Sequence, residues 1–556
     1  MSGLYLLDYG AGNVQSLANS LKKLGYQFTW ISKPEDFQKA TNLIFPGVGS
    51  FQSAIGHLQS RGLLEPLREY IKSGKPYFGI CIGMQVLFES SAEASLKGLG
   101  IIPCPIEGFD DSDKAVPHMG WNAAEVVDPS QSSDGAKPST HYYFVHSYCA
   151  KYNPQKYPEA MSWAYTTTQY GQEIFLSSVR KANVFGTQFH PEKSGEAGLA
   201  LIDAWLKESP ATHTSTPPAP LRTILPKPNH SLTKRIVACM DVRANDQGDL
   251  VVTKGDQYDV REKAVTADTA GAVRNLGKPV TLAEKYFEAG ADELCLLNIT
   301  SFRHSPLRDQ PMLAVVRAAA ERVFVPLTIG GGIKDSVDPD GTPRSAIEVA
   351  GAYFRAGADK VSIGSEAVYA VERLRASGWE KGDGTSAIET IAHAYGRQAV
   401  VVSIDPKRCY VDPATYQGPY AAELVYGKPD GPEKERGKAW WYQCTVSGGR
   451  ETRDVSAVEL ARGVEILGAG EILVNLIDRD GTGLGFDLDL VNLIKRTVKI
   501  PVVASSGAGS AQHFVDVFTG TPVEAALAAG IFHREEVKIE DVKRALKEAR
   551  INVRDP

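Results

Sequence analysis

The sequence has no apolar run approaching the ~20 residues that a bilayer-spanning helix needs. Its opening, Met1-Ser2-Gly3-Leu4-Tyr5-Leu6-Leu7-Asp8, reads as a buried strand rather than an export signal. A cytoplasmic protein without a membrane partner is expected. Cysteine is also scarce. Cys81, Cys104, Cys149, Cys239, Cys295, Cys409 and Cys444 are scattered with neither metal-site spacing nor an even disulfide set, which fits a reducing compartment and gives no reason to expect a metal or cofactor. Positive charge is not in excess either. The net charge of -6 argues against nucleic acid as the main partner, since a phosphate backbone demands a basic face. What remains is an ordinary globular composition, 43% hydrophobic and 23% charged, in 556 residues, too many for a single core.

Against this background Gly79-Ile80-Cys81-Ile82-Gly83 stands out as a sharp strand-to-helix turn with a thiol at its apex. Tyr77-Phe78 lead in, Met84 to Phe88 lead out at helical spacing, and the flanking glycines make room for a strained turn. Further on, Thr187-Gln188-Phe189-His190-Pro191-Glu192 places a histidine at a strand end with a carboxylate two residues later on the same side. Cys81 as nucleophile, His190 as base and Glu192 as orienter fill the roles of a thiol triad. A buried cysteine and a surface His-Pro turn would be the bland alternative. Leu43-Ile44-Phe45 predicts another buried strand, and Gly47, Val48 and Gly49 after it could expose backbone N–H groups as an oxyanion hole. Strands alternating with helices up to residue 80 predict a mostly parallel sheet; beyond Phe109 the strands shorten.

Gly79 to Gln85, the Pro46-Gly47-Val48-Gly49 turn, His118 to Asn122, Tyr143 to Tyr148 and Gln188 to Ser194 together resemble a class I glutamine amidotransferase domain over residues 1–207. That resemblance implies glutamine hydrolysis through a Cys81 thioester, with Gln85 among the residues that hold glutamine and ammonia as the product handed on. Residues 208–234, rich in proline, serine and threonine, read as an extended linker.

Residues 235–556 repeat themselves. Val237 to Arg243 corresponds to Val401 to Lys407, Val325 to Gly332 corresponds to Ile500 to Gly507, and Gly364-Ser365 corresponds to Ala529-Gly530. Each half carries four short apolar strands, near residues 236, 293, 325 and 360 and again near 399, 471, 501 and 525, which predicts a (β/α)8 barrel. An open doubly wound sheet would leave the duplication unexplained. Asp241 and Asp405 then end the first and fifth strands across the barrel mouth, where two separated carboxylates can act as acid and base. Gly331 and Gly332, Gly364 and Ser365, Ser506 and Gly507, and Ala529 and Gly530 form two repeat-related phosphate sites, so a substrate with a phosphate at each end is expected.

These strings, with Asn475 to Thr482, resemble the cyclase of the imidazole glycerol phosphate synthase family, and the whole chain resembles its fused fungal and plant form. The resemblance implies that ammonia converts a bisphosphorylated ribotide into imidazole glycerol phosphate and aminoimidazole carboxamide ribotide, with Asp480 as a further site residue. A glutaminase attached to a barrel that builds a pyridoxal-type ring would need Schiff-base lysines at strand ends. A sugar isomerase would have no use for Cys81, and a non-catalytic glutamine sensor would not need the triad. Residues 413–438 depart from the compact pattern and read as surface elaboration.

The linker delivers Lys234 to the amino end of the first barrel strand, so the glutaminase is expected to dock at the barrel floor. Arg235, Glu293, Lys360 and Glu471, which begin four of the strands, could there close a ring of alternating charge, and the resemblance implies an ammonia gate at these positions. A monomer held by docking of its own domains is the expected state.

Overall fold

The computed structural model describes residues 3–10, 12–47, 49–128, 140–209, 218–244, 250–253, 279–299, 311–337, 341–430, 433 and 435–555. In the amino-terminal part, Thr29–Ile31, Leu4–Leu7, Asn42–Phe45, Tyr77–Ile80 and Val184–Thr187 lie parallel in that order. Glu173–Lys181, Ala164–Tyr170, His118–Val126 and Thr140–His146 extend the same sheet antiparallel. Leu4, Leu6, Ile44, Phe78 and Phe185 pack against Trp205 and Leu206 of the helix Gly195–Lys207 on one face. Thr29–Ile31 is an edge strand that its short, half-polar sequence does not announce.

The carboxy-terminal part is a closed barrel. Arg235–Ala244, Glu293–Asn298, Leu327–Gly330, Lys360–Ile363, Val400–Ile404, Glu471–Asn475, Val502–Ser505 and Ala525–Ala528 pair in parallel, and the last pairs with the first. Leu250–Thr253 adds an antiparallel arm to the first strand. After the fifth strand the chain leaves the barrel wall as a small antiparallel sheet of Pro406–Val411, Val425–Tyr426, Ala439–Val446 and Glu451–Ser456.

Side-chain alternation on two strands joins the halves. Met119, Trp121 and Tyr143 point outward from the amino-terminal sheet and belong to the hydrophobic core of the barrel. Their neighbours Phe144 and His146 point the other way, into an aromatic cluster with Phe109 and Phe175. Burial drives the His146 pKa down to about 3, against the pull of its bond to the Tyr148 carbonyl, so this ring is a neutral packing element. The backbone groups met across the junction lie at helix ends and in the loops that precede barrel strands. Trp121 Nε1 donates to Asp292 O (3.1 Å), Asn19 to Ala320 O (2.9 Å), Gly195 N to Phe324 O (3.0 Å) and Val116 N to Lys499 O (2.9 Å). Lys193 pairs with Asp359 at 2.7 Å. The amino-terminal part therefore sits on the barrel floor, as the entry point of the linker predicts. Described linker residues lie along its surface: Ala219 N donates to Ser162 O (2.8 Å), and Gln169 bonds the Lys227 backbone at 2.8 Å in both directions.

Candidate active site

Cys81 sits at φ 48° and ψ -102°, a conformation that costs a non-glycine residue roughly 1–3 kcal/mol and lifts the thiol out of the strand end. The turn closes because its glycines let backbone pass backbone. A Cβ on Gly79 would lie 2.2 Å from Gly83 O, one on Gly83 2.3 Å from Phe45 O, and one on Gly47 1.7 Å from Ile80 O. The helix after the thiol is shorter than the sequence suggests, Ile82–Gln85, with Phe88 already in the strand Phe88–Ser91. Gly49 has φ 119°, and Val48 lies outside the described residues.

Parallel pairing of Ile80 with Thr187 brings the histidine strand beside the turn, and Cys81 N donates to Thr187 O at 2.6 Å. His190 bonds Glu192 Oε1 through Nδ1 at 2.8 Å. Burial disfavours the charged ring, but the Glu192 carboxylate and the Cys81 thiol together outweigh it and hold the His190 pKa well above the ordinary histidine value. Strand alternation is not what brings Glu192 onto His190. Pro191–Lys193 is a turn of 3-10 helix that swings the carboxylate back onto the ring. Gln85 donates to Tyr148 O and to Gln188 Oε1, both at 3.0 Å, and Gln188 donates to Cys81 Sγ at 3.4 Å. Gln85 thus orients a second glutamine, Gln188, to which the sequence pattern alone assigns no role.

A cavity of about 830 Å³ opens at the carboxyl ends of the barrel strands and is lined by both Asp241 and Asp405. Half-buried Asp405 has its pKa raised by desolvation, an effect that the neighbouring Asp480 reinforces and the bonds from Asn475 (3.1 Å) and Ser403 (3.2 Å) oppose. Asn475, which heads the string Asn475 to Thr482, and Ser403 have no role that the sequence pattern alone assigns; their inward register on strands six and five is the signal that finds them. The repeat-related turns match in shape. Gly331 and Gly332 (φ 93° and 75°) are answered by Ser506 and Gly507 (φ 67° and 87°), a run of left-handed residues that turns successive N–H groups to one side. Gly364 and Ala529 (φ -106° and -124°) each precede a helix begun by Ser365 or Gly530. All of these residues, and Asp480, line the same cavity.

At the floor the four charges form a closed ring. Arg235 pairs with Glu293 (2.7 Å) and with Glu471, and Lys360 pairs with Glu293 (2.7 Å) and Glu471 (2.6 Å). All four are at most 3% exposed. Net neutrality and mutual bridging are what make such burial tolerable. The ring meets the amino-terminal part directly, since Lys360 Nζ lies 3.5 Å from Met119 Sδ. The backbone O of Tyr143, which also packs into this junction, accepts from His190 N at 2.9 Å.

Residues 5–207 match the family described as glutamine amidotransferase class-I, and residues 235–538 match that described as histidine biosynthesis protein. The imidazole glycerol phosphate synthase hisHF of Emericella nidulans is 52% identical over 100% of this chain and 99% of its own length. The chloroplastic hisHF of Arabidopsis thaliana is 52% identical over 99% of this chain and 89% of its own. The imidazole glycerol phosphate synthase subunit HisF of Natronomonas pharaonis is 38% identical over 58% of this chain and 99% of its own. A thiol centre on one sheet, a two-carboxylate cavity in a barrel and full-length likeness to these enzymes agree: the chain belongs to the imidazole glycerol phosphate synthases, in their fused form.

Proposed function

We propose that residues 1–207 hydrolyse glutamine at Cys81 and that residues 235–556 use the ammonia at Asp241 and Asp405, with 208–234 as the tether of a cytoplasmic monomer. His190 takes the thiol proton, Cys81 sulfur attacks the glutamine amide carbon, and the proton passes to the departing nitrogen as ammonia leaves. Water then cleaves the thioester to glutamate. In the barrel, ammonia condenses with the ketose carbonyl of the bisphosphorylated ribotide. Ring closure and carbon–nitrogen cleavage give imidazole glycerol phosphate and aminoimidazole carboxamide ribotide, and one water is released.

The observation that carries this reading is the placement of the two centres at opposite ends of one barrel. Ammonia released to water is mostly protonated at neutral pH and no longer a nucleophile. From Arg235 to Asp241 the first strand covers about 20 Å. Between them Val237, Cys239, Cys295, Val401, Leu473 and Val503 form one buried apolar cluster inside the barrel, surroundings that favour ammonia over ammonium. Arg235, Glu293, Lys360 and Glu471 are the gate at its lower end.

Lys360→Ala tests the gate. It leaves two buried carboxylates with one cation, so the ring should open, and product per glutamine hydrolysed should fall severalfold while ammonia-fed cyclisation from the mouth is much less affected. Stoichiometry held at one product per glutamine, with external ammonia still excluded, would remove the gate assignment. A second variant tests the thiol turn. Gly47→Ala forces a methyl group into Ile80 O, so glutamine-fed turnover should fall about 100-fold with the ammonia-fed rate unchanged; parental glutamine-fed rates would show that the turn tolerates displacement.

A further inference from the structure

Residues 413–438 read as surface elaboration, yet they reach the cyclase centre through one arginine. Arg408 lies on Pro406–Val411, the direct continuation of the strand that ends at Asp405, and its side chain is 5% exposed. Its guanidinium binds Glu435 at 2.7 Å and Asp487 at 2.5 Å and lies over the Trp440 ring, 4.4 Å from the centroid. Its backbone N–H donates to Asp478 at 2.9 Å. Asp478 and Asp487 bracket the loop that carries Asp480, and Asp487 also caps the helix Leu488–Thr497 through Leu490 N (2.9 Å). One residue therefore grips both ends of the Asp480 loop from the strand that extends Asp405.

Glu435 is the insertion's part in this. Decoration would leave its carboxylate in water, but Glu435 is 6% exposed and its backbone is pressed so closely on Gly427 that a Cβ there would lie 1.8 Å from Glu435 O. Nearer the start of the insertion, Tyr420 is 3% exposed and stacked on Trp441 with ring centroids 4.1 Å apart. The segment is anchored at two points so that one acid meets one arginine. A planar guanidinium between two carboxylates fixes direction as well as charge, which an ammonium cannot do.

We propose that Glu435 and Arg408 are positioning residues for cyclisation: the insertion's carboxylate braces the guanidinium that holds the Asp480 loop against Asp405. The inference rests on the reading of Asp405 and Asp480 as cyclase groups. Glu435→Gln keeps size and leaves Arg408 its bond to Asp487, so the fold should survive. Ammonia-fed kcat is expected to fall about tenfold, with KM for the bisphosphorylated ribotide changed less than about threefold and basal glutaminase unchanged. Arg408→Lys should match or exceed that loss, since charge alone does not restore the fork. Should Arg408→Lys fail to fold, Glu435→Gln alone decides. Parental kcat in Glu435→Gln, or a change in thermal midpoint with kcat intact, overturns the proposal. Asp405→Asn run alongside separates the two readings: if it abolishes cyclisation while Glu435→Gln is silent, only the brace is lost, and if it is silent the site assignment itself falls.

Discussion

Cys81→Ala should lower glutamine-fed synthesis by about 10⁴-fold or more and leave ammonia-fed synthesis at the parental rate. In the proposed division of labour only the thioester step uses the thiol. His190 is aligned by Glu192 and held in its charged form in part by the sulfur of Cys81, while Gln188, itself set by Gln85, donates to that sulfur. A methyl group in place of the thiol keeps the strained turn, because the strain is set by Gly79, Gly83 and Gly47 rather than by sulfur. The fold and the docking on the barrel floor should therefore persist. Assays with glutamine, and then with ammonium salt at alkaline pH where free ammonia is abundant, make the comparison. Failure of ammonium to restore product would mean that the thiol centre also supports the barrel reaction.

Much of this arrangement was legible in the sequence because barrel strands are short, apolar and repeated. The eight strands begin within about two residues of where the repeat places them, since each is a run of apolar residues between a helix end and a glycine-rich or acidic mouth. The glycine turns at the mouth are legible for a related reason: positive φ at Gly331, Gly332 and Gly507 favours glycine, and glycine is visible in a string. Tertiary contact is not. The bond from Gln85 to Gln188 joins residues far apart in the chain, and nothing local to either distinguishes it from an ordinary core amide. The burial of Glu435 is hidden for the same reason, as its Gly-, Pro- and Lys-rich neighbourhood has surface composition while its own partner is on another strand. The return of Glu192 onto His190 was expected with the right outcome from the wrong geometry, because Pro191 converts a strand into a turn.

Asp405→Asn should reduce cyclisation about 10³-fold from either nitrogen source while basal glutamine hydrolysis continues. The amide has the carboxylate's shape, and its oxygen can still accept from Asn475 and Ser403, so what is lost is the exchangeable proton. Asp405 suits an acid. Burial and the neighbouring Asp480 keep its proton on to higher pH than an ordinary aspartate, whereas Asn475 and Ser403 pull the other way without cancelling the rise. The sign follows: an acid must be protonated to act, so its contribution is full below the raised pKa and declines as pH rises through it. In glutamine-fed turnover the parent should show a falling limb above the normal aspartate range that Asp405→Asn lacks. Asp241→Asn, at the repeat-related strand end, should produce a loss of similar size by removing the base. Retained turnover in both single variants would move the acid and base elsewhere in the cavity, and loss in Asp241→Asn alone would make Asp405 a residue of the wall rather than of the reaction.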